Sequence, residues 1–148
     1  MDEILPELRA LLAGESDMVA NAANTSALIF ARVPRLNWAG FYFLRGEMLV
    51  VGPFQGLPAC TRIPLGRGVC GTAAARGETI VVPDVHAFDG HIACDSASLS
   101  EIVVPFSIGG KFSGVLDIDS PELDRFSESD RVVIEAIAEI FAGACAPA

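Results

Sequence analysis

Basic charge is scarce in this sequence: 10 Lys plus Arg stand against 19 Asp plus Glu, a formal net charge of −9. No run of cations could neutralise consecutive phosphates, so no nucleic-acid partner is expected. Long apolar runs are missing as well. None approaches the roughly 20 residues needed to cross a bilayer, and the opening stretch MDEILPELRALLAG lacks the basic start and unbroken apolar centre of an export signal. The expectation is a soluble cytoplasmic protein without a membrane partner. Paired C-x-x-C ligands are also absent. That argues against a structural zinc, although His91 and Cys94 stand three apart and Cys60, Cys70 and His86 could converge. Neither a metal nor a cofactor is expected. Without an export signal, Cys60, Cys70, Cys94 and Cys145 read as thiols, any disulfide among them being transient.

What the sequence does have is enough apolar material for one core: 51% of its 148 residues are hydrophobic, which suits a single domain and leaves no room for a second. Ile4, Leu5, Leu8, Leu11 and Leu12 recur at helical spacing up to Gly14. A second helix runs from about Ser16 to Pro34 through Met18, Val19, Ala22, Ala23, Leu28 and Ile29. WAGFYFLRGEMLVVGPF reads as two strands turning at Arg45 and Gly46, with Trp38 and Tyr42 on one face. TRIPLGRGVCGTAAARGETIVV suggests a short strand, a glycine-rich turn, a short helix ending at Gly77 and another strand. EIVVPFSIGGKFSGVLDIDS reads as a hairpin turning at Gly109 and Gly110. SESDRVVIEAIAEIFAGACA closes the chain as a helix, with Ser127 and Asp130 at its cap and Val133, Ile137, Ile140, Phe141 and Ala144 as the buried stripe. This order predicts an α+β domain over residues 1–148, a central, mostly antiparallel sheet with helices packed on one face. Residues 1–36 hold the N-terminal helices, 37–126 the sheet and active-site loops, and 127–146 the closing helix.

Some motifs carry less chemistry than their pattern suggests. Gly66, Gly68 and Gly71 fit G-x-G-x-x-G, yet Pro64 shortens the strand before them and no βαβ repeat follows, so a tight turn needing positive φ is the better account. Cys145, among alanines at the end of the last helix, reads as a small apolar filler.

The loop DVHAFDGHIACDSASLSEIVVP is different, because it holds Cys94 among carboxylates and hydroxyls just before Glu101. A polar, partly open setting suits a reactive thiol, since the thiolate is the attacking form. Cys60 and Cys70 also sit beside turns. Asp117 and Asp119 alternate with Leu116 and Ile118, so both carboxylates share one strand face. Taken alone they make a solvent face, and Glu101 an exposed strand end. Taken with the thiols, they could bind an ammonium group and supply a proton donor.

The segments NWAGFYFL, VGPFQG, RIPLGRGVCGTAAA, DVHAFDGHIACDSASLSEIVVP and GVLDIDSPELDRFSESD closely resemble the free methionine-R-sulfoxide reductases, enzymes built on a GAF domain. The similarity runs almost continuously from residue 37 to 130 and includes three cysteines in that family's order and spacing. It implies a GAF fold and thiol-dependent reduction of free L-methionine (R)-S-oxide to L-methionine, an oxidoreductase reaction of oxidative-stress repair. By the same resemblance Cys94 is the nucleophile that becomes a sulfenic acid. Cys60 is the usual resolving thiol and Cys70 a third redox cysteine, the order between those two staying open. Glu101 is the acid, Asp117 and Asp119 are polar pocket residues suited to an ammonium group, and Trp38 and Tyr42 form an aromatic wall. A redox-active intramolecular disulfide recycled by thioredoxin is implied too. The rival reading is a non-catalytic GAF sensor that binds a small molecule, which leaves three cysteines unexplained. A dimerisation domain, and with it a homodimer, suits the amphipathic terminal helices but says nothing of the acids.

Overall fold

The computed structural model describes residues 2–90 and 97–147. Helix α1 (Ile4–Leu12) turns Ile4, Leu8 and Leu12 inward. Helix α2 (Met18–Arg32) starts where the Asp17 carboxylate accepts a 2.9 Å hydrogen bond from the Ala20 N–H, satisfying a donor the helix itself leaves unpaired. It ends at Val33, extended as a residue before proline prefers. Strands β1 (Trp38–Arg45) and β2 (Met48–Gly56) follow. Arg45 pairs with Met48, so Gly46 and Glu47 make the turn, one residue beyond the expected place.

Next come β3 (Arg62–Pro64), α3 (Gly68–Arg76), β4 (Ile80–Val82), a single 3₁₀ turn (Val85–Ala87), the hairpin β5 (Ser100–Ile108) and β6 (Lys111–Ser120), and α4 (Glu128–Ala144). The cap of α4 is the expected box: Ser127 Oγ accepts from the Asp130 N–H at 3.1 Å and Asp130 Oδ2 accepts from the Ser127 N–H at 2.9 Å. Cys145, just past that helix, is a buried filler as expected.

The six strands lie in the order β3-β2-β1-β6-β5-β4, each neighbouring pair antiparallel. Alternation along them sorts the core into two halves. Ala39, Phe41 and Phe43 of β1 pack with Ile102, Val104 and Phe106 of β5 and Leu116 and Ile118 of β6 against α1, α2 and α4. Phe41 anchors this half, 4.4 Å from Phe141 and edge-on to Phe106 at 5.8 Å; burying each such ring contributes roughly 1.5–3 kcal/mol. Trp38, Tyr42, Val103 and Val115 point the other way, towards Val69, Cys70, Ala73 and Ala74 of α3. Helices α1, α2 and α4 thus form one layer. The short α3 docks on the opposite face, close to the sheet because its contact side is built from small residues. Among the described residues no helix is long and apolar enough to cross a membrane.

Candidate functional site

Register builds the site. Across β1 and β6, Trp38 faces Asp119 and Gly40 faces Asp117; across β6 and β5, Asp119 faces Glu101 and Asp117 faces Val103. Directly opposed residues project to the same side of a sheet. Trp38, Asp119 and Glu101 therefore form one row over three strands, with Asp117 one row along. Helix α3 supplies the facing thiol: Cys70 Sγ lies 3.9 Å from Glu101 Oε2. Ligating atoms of Cys70, Glu101 and Asp117 all fall within 4.8 Å of one another.

This is no solvent face. Glu101 is 7% exposed, Asp117 5%, Asp119 8% and Cys70 4%. Burial disfavours the charged form of every acid here. It holds the Glu101 carboxyl well above its ordinary 4.5, with the charge of Asp117 adding to it. Asp117 is raised by burial and then by Asp119. The Cys70 thiol is pushed up by burial and then by the surrounding carboxylates. Burial thus favours the neutral forms of Glu101, Asp117 and the Cys70 thiol alike. Asp117 Oδ1 is buried with no hydrogen-bond partner among the described residues.

The aromatic side is layered. Trp38 stacks on Tyr42 at 5.9 Å and on Phe54 at 5.0 Å. Phe54 is a wall residue the sequence reading did not single out; beside it Gly40 permits a close approach of β2, since a Cβ there would meet Phe54 Cβ at 2.2 Å and Phe54 Cα at 2.8 Å. Trp38 Nε1 donates to the Leu57 carbonyl and Tyr42 Oη to the Cys60 carbonyl, each at 3.1 Å. Burial and the neighbouring Asp117 raise the Tyr42 phenol, keeping it a donor.

The cysteines separate clearly. Cys60 is half-buried and disulfide-bonded, while Cys70 and Cys145 are buried free thiols. Cys94, the expected nucleophile, and His91 lie outside the described residues. The chain beyond them is anchored at the rim of the site, where Asn37 Nδ2 donates to Ser98 Oγ at 3.0 Å and the Leu99 N–H to the Ser120 carbonyl at 2.8 Å. By donor type, Cys70, Glu101 and Asp117 are the group that could hold a cation among the described residues. The exposed His86 is not part of it.

The GAF domain model matches residues 2–145. The free methionine-R-sulfoxide reductase of Escherichia coli is 56% identical over 84% of this chain and 75% of its own length. The Saccharomyces cerevisiae protein of that name is 42% identical over 98% of this chain and 85% of its own. The crystal structure of free methionine-R-sulfoxide reductase from Neisseria meningitidis in complex with its substrate superposes with a TM-score of 0.91 at 48% identity, covering 95% of this chain and 84% of that one.

Proposed function

This chain belongs to the free methionine-R-sulfoxide reductases of the GAF-domain family, and from that premise we propose that it reduces free L-methionine (R)-S-oxide to L-methionine by thiol chemistry. Asp117 Oδ1 carries the reading: it is a buried acceptor lacking a protein donor, which is what an ammonium group would meet. The arriving cation supplies the counter-charge that burial otherwise withholds, so Asp117 ionises with Asp119 beside it while Glu101 keeps its proton. A methionine sulfoxide inside a peptide has no ammonium group to offer. The rings of Trp38, Tyr42 and Phe54 wall in the methyl end.

The Cys94 thiolate attacks the electrophilic sulfoxide sulfur. Glu101 protonates the oxygen as charge develops on it; the oxygen passes to the Cys94 sulfur as the substrate's S–O bond and the transient bond between the two sulfurs break, methionine leaves, and Cys94 is left as a sulfenic acid. Cys60 condenses with it, forming a disulfide and releasing water. Two observations support Cys60 over Cys70 in that step. Cys60 is disulfide-bonded while Cys70 is a free thiol, and burial, with the acids around it, favours the protonated form of Cys70, a poor nucleophile. Cys70 instead holds Glu101 by its S–H contact. Thioredoxin then reduces the disulfide by thiol exchange.

The test is an assay of the purified protein with a dithiol and each epimer of free methionine sulfoxide, scoring methionine formed. Turnover of the R epimer alone is expected. Turnover of neither would leave the sensor reading standing.

A further inference from the structure

Residues 57–61 link β2 to β3 and carry Cys60. Leu57 is 62% exposed and Pro58 and Thr61 are exposed too, while Ala59 and Cys60 are half-buried against the core half that carries α3 and Cys60 is disulfide-bonded. Its backbone is held as well. The Thr61 carbonyl accepts from the Val51 N–H at 2.9 Å. The Leu57 and Cys60 carbonyls accept from the indole of Trp38 and the phenol of Tyr42. Both donors are 2% exposed and stand on β1, a central strand. The entry to the segment is shaped by the same wall: Gly56 has φ +130°, and a Cβ there would lie 2.7 Å from both Trp38 Cδ1 and the Asn37 carbonyl oxygen.

The rings that wall the pocket therefore fix the cysteine loop through their polar tips. We propose that Tyr42 is the positioning residue of the resolving step, its hydroxyl holding the Cys60 backbone where the Cys60 thiol meets the sulfenic acid, with Trp38 steadying the other end of the loop. The inference rests on the reading that Cys60 resolves. In that step the S–S bond forms, the S–O bond of the sulfenic acid breaks, and oxygen leaves as water with the thiol proton; no further oxidant enters. Holding two reacting groups in place converts a search into a local encounter, so loosening the loop slows condensation while sulfoxide reduction, which needs no Cys60 thiol, is affected far less.

The experiment is a single turnover. Reduced protein is mixed with stoichiometric free methionine sulfoxide and quenched over time, and methionine release and disulfide formation are measured separately. For Tyr42→Phe, which keeps the ring and loses the donor, the ratio of condensation rate to release rate falls about tenfold, the scale of one lost hydrogen bond. The sulfenic acid persists long enough to be trapped by a 1,3-diketone. Trp38→Phe lowers the same ratio less, and decides the matter if Tyr42→Phe does not fold. An unchanged ratio, including both rates falling together as a general loosening of the fold would make them, overturns the inference. Cys60→Ser separates this from its premise: full-rate cycling with thioredoxin in that variant sinks the resolver reading itself, whereas a stall after one methionine beside an unchanged Tyr42→Phe ratio sinks the positioning role alone.

Discussion

Glu101, the acid of the proposed reaction, has to stay protonated where a surface glutamate would not, and that has a thermodynamic signature. Its folded value lies above the ordinary 4.5, so the folded chain keeps a proton that the unfolded chain releases. Stability tied to that proton is complete below 4.5 and is lost as pH rises towards the folded value. Glu101→Gln, neutral throughout, should melt higher than wild type by a margin that grows with pH above 4.5, while methionine release in a single turnover falls about 10²- to 10⁴-fold. A melting difference that stays flat from pH 4.5 to 8 would mean that Glu101 is not held neutral. Asp119→Asn should raise KM for the free amino acid about tenfold or more, the weight of a charge-assisted hydrogen bond. Glu122→Gln is the matched control, because Glu122 meets Arg35 at 2.7 Å on the surface and leaves the pocket alone. Cys94→Ser should abolish turnover and Cys145→Ser should not. The residue types of this site were legible in the sequence, but the difference between Cys60 and Cys70 was not. Both stand beside turns, and what buries Cys70 against Glu101 is the docking of α3, a tertiary event.

That docking depends on one glycine. Gly66 and Gly68 have φ of +85° and +63°, the tight turn expected of the G-x-G-x-x-G run, but Gly71 serves a close approach: a Cβ there would lie 2.4 Å from the Pro64 carbonyl oxygen. Backbone cannot yield as a side-chain tip can, so Gly71→Ala pushes α3 away from the end of β3 and draws Cys70, the preceding residue, off Glu101. We expect a loss of about 1–3 kcal/mol, read from urea unfolding, together with slower methionine release. Gly143→Ala in α4, where a Cβ meets nothing within 4 Å, should instead stabilise by about 0.5–1 kcal/mol through helix propensity alone. Equal effects at the two positions would show that the clash at Gly71 is relieved without moving the helix. The helices, the hairpins and the α4 cap were readable because periodicity and capping chemistry are local. The role of Gly71 was hidden because its contact is made by the fold around it.

At the scale of the whole molecule, the pairing of β1 with β6 joins residues some 80 positions apart and sets Trp38 against Asp119; no turn sequence encodes it. Element order announced an α+β domain, but the strand order that assembles the site follows from burying two faces of one sheet. Arg125 locks that assembly at its edge. Its side chain is 5% exposed, pairs with Asp130 at 3.0 Å, and donates to the Pro34 carbonyl from Nε at 3.3 Å and Nη2 at 3.1 Å. One guanidinium thereby ties the link before β1 to the capping carboxylate of α4, while its backbone N–H reaches Ser100 Oγ at 3.3 Å, next to Glu101. Removing the guanidinium leaves the Pro34 carbonyl without its donors, while Asp130, 17% exposed on its side chain, keeps the Ser127 N–H, so Arg125→Ala should cost about 1–3 kcal/mol. Arg125→Lys should recover only part of this, because a single ammonium cannot reproduce a planar fork that serves a carboxylate and a carbonyl together. The measurement is the urea midpoint by circular dichroism, with turnover corrected for the folded fraction. Arg125 touches none of the proposed reacting groups, so the corrected turnover should stay near wild type as the midpoint falls. A lysine variant with the wild-type midpoint would show that charge alone, and not the fork, closes this edge of the domain.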